Sequence, residues 1–179
     1  GERTDLPLPS ADEVDFEFDG AEARWMTPDA KVIGGFLFDN YSTWPAVVWR
    51  LQEDGTYVCD PICKDYYEAD YQQGKPFMIF TTKSMSDNGE WLAIDTQEEF
   101  DFYDYSKPAP AHKAARYNLV TGELQVLEQA GLEPTGISNS GSLLLFSSIE
   151  GIVGREGYIW EAGATQAVNL NNEFTHVQG

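Results

Sequence analysis

Three stretches decide how the chain is read: residues 25–35, WMTPDAKVIGG; residues 84–94, SMSDNGEWLAI; and residues 136–146, GISNSGSLLLF. Each places an apolar residue (Met26, Met85, Ile137) before a hydroxyl residue (Thr27, Ser86, Ser138). Two turn-forming residues follow, then Ala30, Gly89 or Gly141, then an apolar run of strand character. A second signal lies downstream in each copy, in VVWRLQEDGTYV, ARYNLVTGELQV and YIWEAGATQAV. There a strand carries an aromatic (Trp49, Tyr117, Trp160), a glycine turns the chain (Gly55, Gly122, Gly163), and a strand returns. Ala30 to Trp49 and Gly141 to Trp160 both span 19 residues. Gly89 to Tyr117 spans 28, and the extra nine fit an insertion in EEFDFYDYSKPAPAH. The hydroxyl positions lie 59 and 52 residues apart, periods that mark a repeated supersecondary unit with enlarged loops.

Working outward, strand patterns dominate. VDFEF alternates Val14, Phe16 and Phe18 with Asp15 and Glu17, the period-two pattern of a half-buried strand. KVIGGFLF, AVVWRL, TYVCD, PFMIFTT, EWLAID, ARYNLV, ELQVLE, SLLLFSS, GYIWEA and QAVNL also read as short strands. Asp54-Gly55, Asn88-Gly89, Thr121-Gly122 and Ser140-Gly141 punctuate them as turns. The best helical candidate is a short turn at Leu127 to Ala130. The expected class is all-β: a linker over residues 1–13, then one repeat domain over 14–179, with units near 21–75, 76–130 and 131–175.

The chain has 179 residues, 42% hydrophobic and 13% aromatic, a composition that folds. Thirty acidic residues face eleven Lys and Arg, a net charge of −19. That balance repels a nucleic-acid backbone and an anionic membrane surface, and it favours solubility, cation binding or a basic partner. No apolar run reaches the roughly 18 residues of a membrane span. The opening GERTDLPLPSADEVD is polar and proline-bearing and has no initiator Met, so it reads as a trimmed start with Gly1 as a cleavage scar. It resembles the tether that follows the lipid-anchored cysteine of exported bacterial lipoproteins.

The three turn-and-strand stretches resemble the S-P-D-G repeats of Tol-associated propellers. ISNSG with YIWEAGATQAVNL is also similar to the extracellular HAF-type repeat. The likeness covers about residues 21 to 170 as roughly three copies. The first copy departs at Ala30, where the family has Gly, and the second at Tyr117, where it has Trp. It implies about three propeller-like blades of antiparallel strands and fixes no activity, since propeller loops carry the function. Propellers close with four to eight blades. Three copies therefore leave a fragment of a longer chain, an association through open strand edges, or an open or sandwich-like β fold.

Candidate chemistry is read against each feature's structural role. GISNSG is G-x-S-x-x-G rather than the G-x-S-x-G of a nucleophile elbow, and Ser138 matches the turn residues Thr27 and Ser86. DFEFDG (Asp15, Glu17, Asp19, Gly20) imitates the start of a calcium loop, but Met26 stands where a bidentate Glu is needed. Asp101 with Asp104, or Asp65, Glu68 and Asp70, could supply a glycosidase carboxylate pair, and nothing in the sequence selects one. Cys59 and Cys63, in CDPIC, close a small disulfide loop or stay as two thiols. His112 and His176 have no partner visible in sequence, and neither a cofactor nor a metal is expected.

Two insertions are more informative. DPICKDYYEADYQQGKPF carries Tyr66, Tyr67 and Tyr71, and QEEFDFYDYSKPAPAH carries Phe102, Tyr103 and Tyr105. Aromatic loops offer rigid contact area for sugars or proteins, and the alternative role is covering the ends of the sheets. The expected function is a non-catalytic binding or scaffold module of the bacterial cell envelope, exported to the periplasm or cell surface. Its partner would be a glycan, a peptide or an envelope protein. The alternatives are a propeller-type glycoside hydrolase or lyase using a loop carboxylate pair, and a purely structural segment of a larger propeller.

Overall fold

Each short strand buries too little apolar surface to stand alone, so the chain stacks sheets. The computed structural model describes residues 5–10, 18–38, 46–62, 78–98, 112–147 and 156–171. These residues form twelve strands: β1 Gly20–Met26, β2 Val32–Phe38, β3 Ala46–Leu51, β4 Tyr57–Pro61, β5 Met78–Met85, β6 Trp91–Glu98, β7 Lys113–Asn118, β8 Leu124–Ala130, β9 Leu132–Ile137, β10 Leu143–Ser147, β11 Gly157–Trp160 and β12 Val168–Asn169. They make three four-stranded antiparallel sheets, β1-β2-β3-β4, β5-β6-β7-β8 and β9-β10-β11-β12, each in chain order. Every sheet has two open edges, so none closes into a barrel. The arrangement is that of propeller-like blades or of a sandwich. Leu127 to Ala130, expected as a helical turn, belongs to β8, where Val126 and Ala130 pair with Ala115 and Lys113 of β7 across a shift in register.

The turn entering the second strand is built alike in each sheet. Thr27 N–H donates to Val32 O (2.9 Å), Ala30 N–H to Thr27 O (2.8 Å), and Val32 N–H to Thr27 Oγ1 (3.1 Å). Ser86 and Trp91 repeat this, with Gly89 N–H on Ser86 O at 2.9 Å and Trp91 N–H on Ser86 Oγ at 3.0 Å. The third turn is one residue tighter: Ser142 N–H, not that of Leu143, donates to Ser138 Oγ (3.0 Å). Ala30, Gly89 and Gly141 all have positive φ, at 57°, 68° and 85°. That conformation suits glycine, and Ala30 is the one non-glycine residue among those described that adopts it.

The ladders fix the equivalence of the sheets. Ile33 pairs with Trp49, Leu92 with Tyr117, and Leu143 with Trp160, so the three aromatics hold one ladder position. The equal spacing of 19 therefore combines a shorter turn with a longer connection in the third copy. The first strands share a further feature: β1, β5 and β9 each bulge, at Arg24, Lys83 and Thr135, leaving one residue without a ladder partner.

Apolar side chains fill the boundaries between sheets. Ala46, Val48 and Ile62 of the first sheet side meet Leu92, Ile94 and Ala115 of the second. Ala93, Ala114 and Leu127 meet Leu132, Leu143, Leu145 and Trp160 of the third. On the outer side of the first sheet, Leu37, Val47, Trp49 and Cys59 are covered in part by Leu6 and Phe18, and Trp49 Nε1–H donates to Pro7 O at 2.7 Å. Arginines cross both boundaries: Arg50 Nη2 donates to Leu119 O (3.0 Å), and Arg116 Nη1 donates to Gly141 O (2.9 Å) and Glu161 O (3.1 Å). Arg116 is 2% exposed, with Cζ 4.1 Å from the Trp160 ring centre.

A Cβ at Gly141 would lie 2.8 Å from the Trp91 indole, whereas one at Gly55, with φ +84°, meets nothing within 4 Å. Gly55→Ala is expected to cost about 1 kcal/mol from backbone strain alone. Gly141→Ala is expected to cost a further 1–3 kcal/mol, on the order of an overpacked contact. Ala30→Gly is expected to stabilise by about 0.5–1 kcal/mol, because the relieved strain exceeds the added chain entropy. Urea unfolding of the three variants checks this order.

Candidate functional site

Ladder register places the two aromatic insertions on the molecule. The first leaves the sheet after Pro61, paired with Val47, and returns at Met78, paired with Glu98. The second leaves after Glu98 and returns to β7, where Lys113 pairs with Thr96. Both therefore attach at the end of the sheets opposite the tight turns. The turns themselves sit together: Asn88 N–H donates to Asn139 Oδ1 (3.0 Å), and a Cβ at Gly89 would lie 2.9 Å from Thr27 Cγ2. With the turn ends aligned, the insertion ends share the other side. Tyr66, Tyr67, Tyr71, Phe102, Tyr103 and Tyr105 lie outside the described residues, as do Cys63, His176, Asp15, Glu17 and the carboxylates Asp65, Glu68, Asp70, Asp101 and Asp104. Cys59 is buried on β4 beside Trp49.

Near the attachment of the second insertion lies a group of charges that the sequence does not announce. Asp95 on β6 is 5% exposed. His112 Nδ1 sits 3.1 and 3.0 Å from its two carboxylate oxygens, and Lys83 Nζ is 3.3 Å from Oδ2. Lys83 is the bulged residue of β5. The bulge turns its ammonium onto the same position that Arg24 reaches in the first sheet, where it lies over the Phe36 ring at 5.2 Å. His112 precedes β7, whose Ala114 pairs with Asp95, so the ladder joins residues 17 apart in the chain. Burial pushes the Asp95 carboxyl above its ordinary range. His112 and Lys83 oppose that shift, and the Glu133 charge adds to it. Imidazole and ammonium both face the one carboxylate. With both oxygens engaged, it also clamps the two strands flanking the second insertion.

At the opposite end, a shallow cleft of about 360 Å3 lies between the first two turns, lined by Thr27, Pro28, Asp29, Lys31, Val32, Asp87 and Asn88. Asp29 accepts from the Thr27 hydroxyl (2.8 Å) and from Lys31 N–H (3.1 Å), which holds its carboxyl below the usual range. Ser138 spends its hydroxyl on Ser140 Oγ (2.9 Å) and Ser142 N–H, a turn clamp rather than a nucleophile with a base. Asp19 N–H donates to Phe38 O, and Gly20 begins β1, so DFEFDG leads into a strand. Among the described residues no three His, Cys, Asp or Glu side chains gather as metal ligands. No protein-family model and no curated protein matches the chain.

The raised Asp95 carboxyl has a signed consequence. The folded state holds its proton more tightly than the unfolded state, so this contribution is complete below the ordinary carboxylate range. It is lost as pH rises through the raised folded value. Asp95→Asn does not titrate. Its melting temperature is therefore expected to gain on that of the wild type as pH climbs out of the acid range. A variant whose melting temperature keeps a constant offset from the wild type, or falls further behind it as pH rises, contradicts the burial of the charge.

Proposed function

We propose that the chain is a non-catalytic binding or scaffold module of the bacterial cell envelope, exported to the periplasm or cell surface. Its binding end is the one that carries the two aromatic, acidic insertions. The observation that carries this reading is the common attachment end: the first insertion joins β4 to β5 and the second joins β6 to β7, all on the side away from the tight turns. Loops rich in Tyr and Phe that attach at one end of a stack of sheets suit the gripping of a glycan, a peptide or a protein. The likeness to Tol-associated and HAF-type propeller repeats agrees with this role, because such scaffolds bind through their loops. No helix among the described residues is long and apolar enough to cross a membrane.

A second reading draws on Asp95, whose raised carboxyl is the feature a glycoside hydrolase or lyase needs in its general acid. Its burial and its two engaged oxygens favour a structural role instead.

Tyr66→Ala and Tyr103→Ala test the binding reading on a glycan array and against purified envelope proteins. Each is expected to weaken the wild-type interaction by roughly tenfold or more, as loss of an aromatic anchor does, with the melting temperature unchanged. Variants that bind as well as the wild type, or a wild type that binds neither class, overturn it.

A further inference from the structure

Residues 5–10, DLPLPS, lie against the outer face of the first sheet and belong to none of the three sheets. Leu6 packs on the cluster of Leu37, Val47, Trp49 and Cys59, and the carbonyl of Pro7 accepts the Trp49 indole N–H at 2.7 Å. The same donor is spent differently on the third sheet. Trp160 holds the equivalent ladder position, yet its Nε1–H stays inside its own hairpin, on Ala164 O at 2.8 Å. On the first sheet a Cβ at Gly35 would lie 3.0 Å from Trp49 Cζ3, so the indole is laid down along β2. Its N–H is met by a segment from outside the sheet, 42 residues away in the chain.

That segment has the properties of a ligand. Proline fixes φ at residues 7 and 9, and the residue before each proline is held to extended backbone. A polyproline-type helix has about three residues per turn, so residues three apart share a side. Burial follows that period: Leu6 is half-buried and Pro9 buried, whereas Pro7, Leu8 and Ser10 are exposed. An extended segment of this pitch, seated on an aromatic surface, is how proline-rich peptides are recognised, and its few conformers cost little to order. We infer that the outer face of the first sheet is a binding site for an extended Leu-x-x-Pro peptide of another protein, and that residues 5–10 occupy it as an intramolecular competitor. Residues 11–17 tether this strap to Phe18, which packs on the same face. The short tether gives the strap a high effective concentration, which an incoming peptide must exceed. The site lies on a sheet face, so it stands whether or not the insertions bind anything.

The test uses a fluorescent peptide of residues 4–11, TDLPLPSA, read by anisotropy against the full chain. Leu6→Asp with Pro9→Asp in the protein releases the strap; where that pair unfolds the chain, Leu6→Ala, which only weakens the strap, replaces it. The released protein is expected to bind the peptide saturably. Its Trp49 indole proton, shifted by the substitutions, should return toward the wild-type resonance as peptide is added. The wild type should bind roughly tenfold or more weakly, because the tethered copy competes. Leu6→Ala or Pro9→Ala in the peptide should cost roughly tenfold, and Leu8→Ala should cost nothing, as an exposed side chain requires. No saturable binding to the released protein, equal binding by the three alanine peptides, or a wild type that binds as tightly as the released protein overturns the inference. A wild type that sediments as a dimer, and as a monomer once the strap is released, makes a second copy the occupant and overturns it too.

Discussion

The structure depends on one backbone conformation repeated three times. A residue of positive φ, three places after the hydroxyl of each first turn, lets that turn fold back tightly enough to seat against the neighbouring sheet. At Gly89 the neighbour is Thr27 and Val32, and at Gly141 it is the face of Trp91. Neither contact leaves room for a Cβ, so glycine is required by space as well as by torsion. Ala30, at the free end of the series, has no preceding turn to meet among the described residues, and there a methyl group is tolerated at the cost of strain.

The arginines complete what the turns begin. Backbone carbonyls of tight turns brought into an interface lose water and need donors. Arg50 and Arg116 reach across to supply them, and Arg116 is stacked on Trp160 while it does so. Burial lowers its pKa without discharging it, so the guanidinium serves as a fixed cation within an acidic molecule. The sheets are thereby joined by apolar contact on their faces and by charge-assisted hydrogen bonds at their turn ends. That leaves the other ends to carry the insertions.

The second and third strands of every sheet, with β4, β12 and the start of β8, were legible in the sequence, because they are short apolar runs bounded by turn residues, whereas the end of β8 reads as a helical turn. The first strands β1 and β9 were not. The bulges at Arg24 and Thr135 interrupt the alternation by which a strand is recognised, and LEPTGI adds a proline and a glycine. The tighter third turn was hidden as well, since the residue lost there returns in the following connection and leaves the spacing of 19 intact. The contact between His112 and Asp95 was invisible for another reason. Only the pairing of β6 with β7 brings residues so far apart within 3 Å, and neither residue type nor spacing foretells it.

The seat of the third turn on the second sheet is read most directly by nuclear magnetic resonance. With Gly141 against the indole of Trp91, its α protons lie in the ring current. At least one should resonate well upfield of its random-coil position and show a nuclear Overhauser contact to the Trp91 ring, and the shift should vanish in Trp91→Leu. Gly141 α protons at random-coil positions, with no contact to Trp91, would contradict the inter-sheet seat on which the whole arrangement rests.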